Sequence, residues 1–182
     1  MAEYSMQSNC EDYSFRELVP DDAPQFRNLR LDALTTSSDV LAATLEEVEA
    51  DSEGVVRQDI DARIRNGGFS VGAFSKQLEM VGMVNVARPS LERLRHIGCV
   101  WGVYVSTEHR NRGLARELLL ELIRLARNIE DLHQLHIEVV TSNASAVRLY
   151  QEVGFECYGT QPRAIRTNEG YHDEYQLALI LR

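Results

Sequence analysis

The chain has 182 residues, 44% of them hydrophobic, enough to bury one ordinary core without disulfide or metal staples. Its formal charge of -9 argues against a general nucleic-acid binder, because that affinity comes chiefly from neutralising phosphates with Lys and Arg; an amine-bearing or basic partner suits it better. No apolar run reaches the ~18 residues of a membrane span and no basic-then-apolar leader opens the sequence, so a cytoplasmic protein without membrane attachment is expected.

Residues 1–12 are polar and unpatterned and read as a loose tail, leaving 13–182 as a single domain. Tyr13 to Val19 alternates like a first strand. Asp22, with Gln25 three residues on, looks like the cap of a helix carrying Phe26, Leu29 and Ala33 at helical spacing. A polar stretch from Thr35 to Asp51 separates it from a second helix, Ser52 to Asn66, whose Val56, Ile60 and Ile64 recur at i, i+4 and i+8 before Gly67 ends it. Two strands follow, Phe69 to Phe74 and Leu78 to Arg88, joined by Ser75-Lys76-Gln77.

A fourth strand covers Arg95 to Val105, with Ile97, Cys99, Trp101, Val103 and Val105 on one face and Gly98 and Gly102 on the other. Glycines inside a strand indicate a bulge, a close approach, or simple packing of small residues under a helix. Gly113 to about Asn128 forms a third helix that buries Leu114, Leu118, Leu122 and Leu125. Leu135 to Val140 is a fifth strand, and Ser142 to Tyr150 a short fourth helix ending near Gly154. Tyr171 to Leu181 closes the sheet as the hairpin partner of the strand after Phe155. Cys10, Cys99 and Cys157 are odd in number and scattered, so reduced thiols are expected, with Cys99 and Cys157 in the core. The five histidines form no metal-ligand pattern, and no metal is expected.

The most informative stretch runs from Val103 to Leu118, where an apolar strand ends in Arg110-Asn111-Arg112-Gly113-Leu114-Ala115 and a leucine-patterned helix begins. The first N–H groups of a helix have no partner within it, and the aligned peptide dipoles draw an anion there. Gly113 would let a ligand approach the backbone, Ala115 keeps the next turn slim, and Arg110 and Arg112 add charge. The same residues also read as an ordinary helix start behind a solvated basic loop. Neither G-x-G-x-x-G nor a P-loop motif is present to suggest nucleotide binding.

A second block, Asn143-x-x-Ala146-x-x-Leu149-Tyr150-x-x-x-Gly154-Phe155, follows one helix and one strand later. With both blocks in this order, the chain resembles the GNAT superfamily of acyl-coenzyme A-dependent N-acyltransferases, from about Tyr13 to the C-terminus and most densely from Trp101 to Phe155. The segments 29–34, 101–105, 161–164 and 171–174 resemble a bacterial group of that superfamily with no settled acceptor. The resemblance implies an α/β, three-layer fold, with a mixed, mostly antiparallel sheet of about seven strands flanked by about four helices. It also implies acetyl-coenzyme A as co-substrate and an amine-bearing acceptor; a homodimer is common in the family, though no residue pattern requires one.

By the same resemblance, the amides of Arg110, Asn111, Arg112, Gly113, Leu114 and Ala115 hold the coenzyme pyrophosphate. The main chain of Val103 and Val105 pairs with the pantetheine arm, a backbone N–H near Val105 receives the oxyanion, and Asn143 contacts the arm. Asn143 is equally a good helix cap, with Ser142 as the alternative that would free it for the ligand. Tyr150 falls where many members keep a tyrosine beside the thioester sulfur. A phenol, pKa ~10, stays protonated at neutral pH and suits the role of acid toward a departing thiolate; read structurally, it is an amphipathic ring in the core.

The general base is where the sequence departs from histone-type members, which carry a glutamate where Cys99 aligns. A buried thiol is a poor base. The remaining candidates are Glu138, on the strand face opposite Leu135, Ile137 and Val139, then Tyr104, His96, Glu46, Glu47, Asp173 and Glu174; a water relay with no dedicated base also stands. Glu138 reads equally as a solvated edge residue. The acids Asp39, Glu46, Glu47, Glu49 and Asp51 fall in the segment that, by the resemblance, shapes the acceptor pocket, and they would suit a cationic amine, although such runs are usually solvated faces. With no Cys beside a His and an acid, direct attack in a ternary complex is favoured over an acyl-cysteine route. The alternative of another class is a regulatory module that binds coenzyme A without turnover.

Overall fold

Helices on both faces of one sheet explain why two of its strands carry almost no exposed residue. The computed structural model describes residues 10–37, 43–168 and 170–182. The strands are β1 (Tyr13–Glu17), β2 (Phe69–Ser75), β3 (Met80–Ala87), β4 (Ile97–Val105), β5 (Gln134–Val140), β6 (Glu156–Thr167) and β7 (Gly170–Ile180). They form a seven-stranded sheet in the order β1-β2-β3-β4-β5-β7-β6. Every pairing is antiparallel except that of β4 with β5. The helices are α1 (Ala23–Ser37), α2 (Leu45–Ala50), α3 (Glu53–Arg65), α4 (Leu114–Ala126) and α5 (Ala144–Glu152).

One apolar cluster lies under α4, where Leu114, Leu118, Leu119 and Leu122 meet Val71, Val84, Val86 and Val100. The other lies under α1 and α3, where Phe26, Leu29, Val56 and Ile60 meet Phe74, Met83 and Tyr104. Strand β2 is therefore buried along its whole length, which is why it lacks the apolar-polar alternation of a one-sided strand. Leu125, expected in the core, is only partly buried beside it, and Ile123 and Ala126 take the fully buried places.

The entry to α1 corrects the expected cap. Pro20–Asp22 form a single 3-10 turn, and the Asp22 carboxylate points backward: Oδ2 accepts from the Val19 N–H at 2.9 Å, and both oxygens accept from Arg16 at 2.7 Å. Gln25 instead reaches across to β3, where its Oε1 accepts from the Met80 N–H at 2.7 Å. Burial alone would raise the Asp22 carboxyl, but the Arg16 and Val19 hydrogen bonds and the Arg16 charge outweigh it and hold it below its usual value. Asp22→Ala is expected to cost about 1–3 kcal/mol at pH 7, because it orphans a backbone donor and an arginine together. A folded-state carboxyl held low stabilises above about pH 4 and loses that contribution as pH falls through its folded value. Urea unfolding of both proteins at pH 7 and pH 3 should show the gap closing in acid.

The polar stretch 35–51 is not structureless. It contains the end of α1 and the short α2, whose start is a reciprocal cap: Thr44 Oγ1 accepts from the Glu47 N–H and Glu47 Oε2 from the Thr44 N–H. Thr44-x-x-Glu47 is the signal that periodicity alone overlooked. Asp39 lies outside the described residues. Among the described residues the α-helices number five, in keeping with the expected count of about four, α2 being the one not foreseen.

In β4, one inserted residue changes which face each side chain takes. Asn85 pairs with Trp101 and Met83 with Tyr104, so Gly102 and Val103 together oppose Val84. Gly102 has φ +64 and an added Cβ would lie 2.8 Å from Asn85 Nδ2. Before the bulge Gly98 and Val100 face α4; after it Val103 and Val105 do. The single-face alternation expected for Ile97 through Val105 therefore breaks, and Cys99 falls on the exposed side. Cys157, beside a second irregularity at Cys157/Gly159, is exposed as well, so neither thiol is core. Gly98 is the close-packing case, with Leu135 Cδ2 and Val86 Cγ1 within 3 Å of a built Cβ. Among the described residues no helix is long and apolar enough to cross a membrane.

Candidate active site

Strands β4 and β5 stay in register from Ile97↔Gln134 to Val100↔Ile137 and then part. The opening is a cavity of about 740 Å³ with Trp101 to Val105 on one wall, Ile137 to Val139 on the other, the start of α4 at one end and Tyr150 of α5 below. Ser106 N–H donates to the Val81 carbonyl at 2.9 Å. Because successive peptide groups of a strand point in opposite directions, those of Val103 and Val105 turn toward the gap, away from β3. The bulge and the parting of the strands thus leave backbone without a strand partner beside the cavity.

At the end of the gap, Asn111 (φ 60) and Gly113 (φ 84) both adopt left-handed backbone. Gly113 is the N-cap of α4 and supplies no side-chain cap, so the first amides of the helix remain open to an anion. The flanking arginines have different jobs. Arg110 lines the cavity, its Nε donating to the Val105 carbonyl at 3.1 Å and its guanidinium lying 5.4 Å from the Tyr104 ring centroid. Arg112 does not line the cavity: it donates to Tyr13 Oη at 3.0 Å and to the Glu108 carbonyl at 3.2 Å, tying the loop to β1. The second cation beside the open amides is Arg116, one turn into α4, which the sequence reading missed; its signal was the i+3 spacing from Gly113.

Asn143, not Ser142, is the N-cap of α5: its Oδ1 accepts from the Ala146 N–H at 3.2 Å and from Ser145 Oγ at 3.0 Å. It lines the cavity at the same time, so the capping residue also borders the gap. Tyr150 is buried among core residues, its ring 6.3 Å from Phe155, and burial pushes its phenol well above the ordinary value. Tyr150 is thus the core ring that the structural reading expects and part of the cavity wall at once.

Of the base candidates, Glu138, Glu174 and Tyr104 line the cavity; His96, Glu46, Glu47 and Asp173 do not. Tyr104 Oη donates to Asp32 Oδ2 at 2.8 Å and lies 2.7 Å from Thr36 Oγ1, so its hydroxyl is engaged by α1. Glu138 is exposed, on the uncovered side of β5. Burial and the Glu138 charge raise the Glu174 carboxyl, and the same two causes raise the Cys99 thiol, which stays neutral and unsuited to attack. Gly102→Ala is expected to lower the thermal midpoint by several degrees, since a left-handed φ and a 2.8 Å contact together cost about 1–3 kcal/mol. Differential scanning calorimetry would read it. Among the described residues no group of three or more His, Cys, Asp or Glu is arranged to hold a metal ion.

A sheet parted beside an uncapped helix start is built to receive an extended ligand with an anionic end. Residues 26–155 match the model of the Acetyltransferase (GNAT) family, and the chain belongs to that family. It is 28% identical over 102 residues to the L-amino acid N-acetyltransferase AaaT of Escherichia coli (strain K12), a match spanning 56% of this chain and 62% of that relative. Among solved structures it is similar to a GNAT-family acetyltransferase from Streptococcus pneumoniae, at TM-score 0.83 and 25% identity over 92% of this chain and 98% of that one. It also shares its fold with yncA from Salmonella typhimurium, a putative acetyltransferase solved with acetyl-CoA, at TM-score 0.81 and 20% identity over 94% and 95% of the two chains.

Proposed function

We propose that the protein transfers an acetyl group from acetyl-coenzyme A to a primary amine by direct attack in a ternary complex. The observation that carries this reading is the cavity where β4 leaves β5, bounded by the uncapped N-terminus of α4 and by Tyr150. The open amides after Gly113, with Arg110 and Arg116 beside them, match a pyrophosphate in charge and in donor geometry. The outward peptide groups of Val103 and Val105 offer the amide arm of the coenzyme the partners a neighbouring strand would otherwise supply, and Asn143 adds a side-chain contact.

Acetyl-coenzyme A supplies an activated thioester; the chain supplies placement and proton handling. A Val105 N–H beside the thioester carbonyl stabilises the charge that develops on its oxygen. Tyr150 holds its proton throughout the neutral range and delivers it to the leaving sulfur. Glu138 and Glu174 both line the cavity; Glu174, its carboxyl raised by burial and by the Glu138 charge, is the better tuned of the two to take a proton from the incoming ammonium, with Glu138 keeping the site negative.

The test is a thermal-shift comparison of acetyl-coenzyme A, free coenzyme A, ATP and NAD, followed by thiol release with a panel of amines. Saturation at about 100 times the dissociation constant adds ~2.7 kcal/mol and raises the midpoint by several degrees. A shift with the coenzyme A species alone, with thiol released on adding an amine, supports the reading. Shifts of equal size with ATP would overturn the donor site, and binding without thiol release would overturn transfer.

A further inference from the structure

Two arginines outside the coenzyme cleft converge on the same pair of aromatic rings. Arg63, in the last turn of α3, lies 4.9 Å from the Trp101 ring centroid and 5.9 Å from that of Phe26. Arg30, from α1, lies 5.9 Å from Trp101 and 6.0 Å from Phe26. Trp101 is part of the cavity wall, one residue before the bulge. The two guanidinium groups thus lie against Trp101 on the sheet face opposite α4, behind the stretch of cavity wall that Trp101 forms and not among the residues that line the cavity.

Their surroundings neutralise them only in part. Among the described residues Arg63 forms no ion pair; its Nη1 donates to Ser70 Oγ at 2.6 Å and to Asn85 Oδ1 at 3.4 Å, both from neutral, fully buried side chains. Arg30 has a carboxylate oxygen of Asp51 at 3.9 Å, the outer limit of an ion pair. Burial and the Arg30 charge push the Arg63 guanidinium down to about 10, against the opposing pull of Asp59. Two half-buried positive charges side by side, without a protein carboxylate on Arg63, are costly unless an anion joins them. The arrangement is also pre-positioned: Ser70 Oγ donates to Asn85 Oδ1 at 2.7 Å, and Asn85 Nδ2 donates to the Trp101 carbonyl at the bulge. One edge of Arg63 is therefore fixed by a buried network that ends at the cavity wall.

We propose that the acceptor is an amine that also bears a carboxylate, the carboxylate being received by Arg63 and Arg30 beside Trp101 and the amine lying toward Glu138 and Glu174. The charges of the site are then paired end to end: guanidinium forks against a planar carboxylate, and acidic residues against the ammonium that must lose its proton before attack. This assignment rests on the acetyl-transfer reading above and names its acceptor class.

The experiment offers the protein acetyl-coenzyme A and the twenty L-amino acids, β-alanine and γ-aminobutyrate, each beside its primary amide and its decarboxylated amine, with thiol release as the readout. The same compounds are titrated into the coenzyme A-saturated protein by calorimetry, so that binding is seen whether or not transfer occurs. At least one amino acid should exceed its amide by about 10² in kcat/KM, about 2.7 kcal/mol, the scale of a lost hydrogen bond between charged groups. Arg63→Gln and Arg30→Gln should each bring that ratio below about tenfold, lowering the rate with the amino acid far more than that with the decarboxylated amine. Arg63→Lys, which keeps the charge and loses the fork, should fall between.

Amides or decarboxylated amines accepted as well as the amino acids would overturn the carboxylate site and leave acetyl transfer standing. Coenzyme A binding with no amine acetylated, but an amino acid bound and its amide not, would overturn transfer and uphold the anion site. Neither turnover nor carboxylate-dependent binding would overturn both.

Discussion

Gly113→Val is expected to weaken acetyl-coenzyme A binding by more than tenfold, about 1.4 kcal/mol or more. Two physical effects act in the same direction. At φ +84 the backbone of residue 113 lies where a β-branched side chain is strained by about 1–3 kcal/mol, so the loop must relax to a right-handed or extended conformation. That relaxation turns the peptide between Gly113 and Leu114, and the open amides at the start of α4 no longer converge on one point. Leu114 and Leu118 keep the helix itself seated in the core, so the variant should fold. The measurement is isothermal titration with coenzyme A, with a far-UV spectrum and a ligand-free melting curve to show that the helix persists. Unchanged affinity would remove the helix start from the coenzyme site.

Tyr150→Phe is expected to lower kcat by roughly 10²-fold while changing coenzyme affinity little, the usual scale for loss of a general acid. The ring is buried, so the substitution keeps the packing against Phe155 and removes only the hydroxyl. The direction of the phenol's shift also fixes the pH behaviour. A folded pKa above the unfolded value of about 10 means the native state holds the proton more tightly, so any stability lost through Tyr150 appears only above that pH. The wild-type rate should accordingly show no alkaline decline from Tyr150 below pH 9, and its acid limb should follow the carboxyl that takes the amine's proton. Stopped-flow thiol release across pH 5 to 9 would check both. A rate unchanged in the phenylalanine variant would take Tyr150 out of the mechanism.

The parts of the fold that could be read in advance are those where one pattern dominates. The leucines of α4 recur at helical spacing without interruption, and its start follows from Gly113 and the basic loop, so both the helix and its uncapped start were legible. The cap at Asn143 and the core ring at Tyr150 were legible as parts of one short helix, and their spacing of seven residues turns both toward the parted strands. What escaped reading was decided by tertiary contacts. Asp22 was mistaken for a forward cap because nothing local shows that Arg16, two strand residues upstream of Leu18, folds back onto it. Arg110 and Arg112 are alike in sequence, yet one faces the cleft and the other is claimed by Tyr13, nearly a hundred residues away. Cys99 was placed in the core by a strict period of two that the residue at Gly102 interrupts only later in the strand. Arg63 and Arg30 belong to separate helices, and only packing brings them to the same indole.

The inserted residue at Gly102–Val103 makes β4 two short strands written in different reading frames. Upstream, even-numbered side chains face α4; downstream, odd-numbered ones do. Deleting a single residue there would leave the composition of the strand almost untouched and still exchange its downstream half between the two faces. Tyr104 would be carried from Asp32 and α1 toward the leucines of α4, and Val105 from that core toward α1. A length change of one residue would thus act on both cores at once and erase the outward-turned peptides that border the cavity, whereas most substitutions in the same segment would disturb one contact at a time.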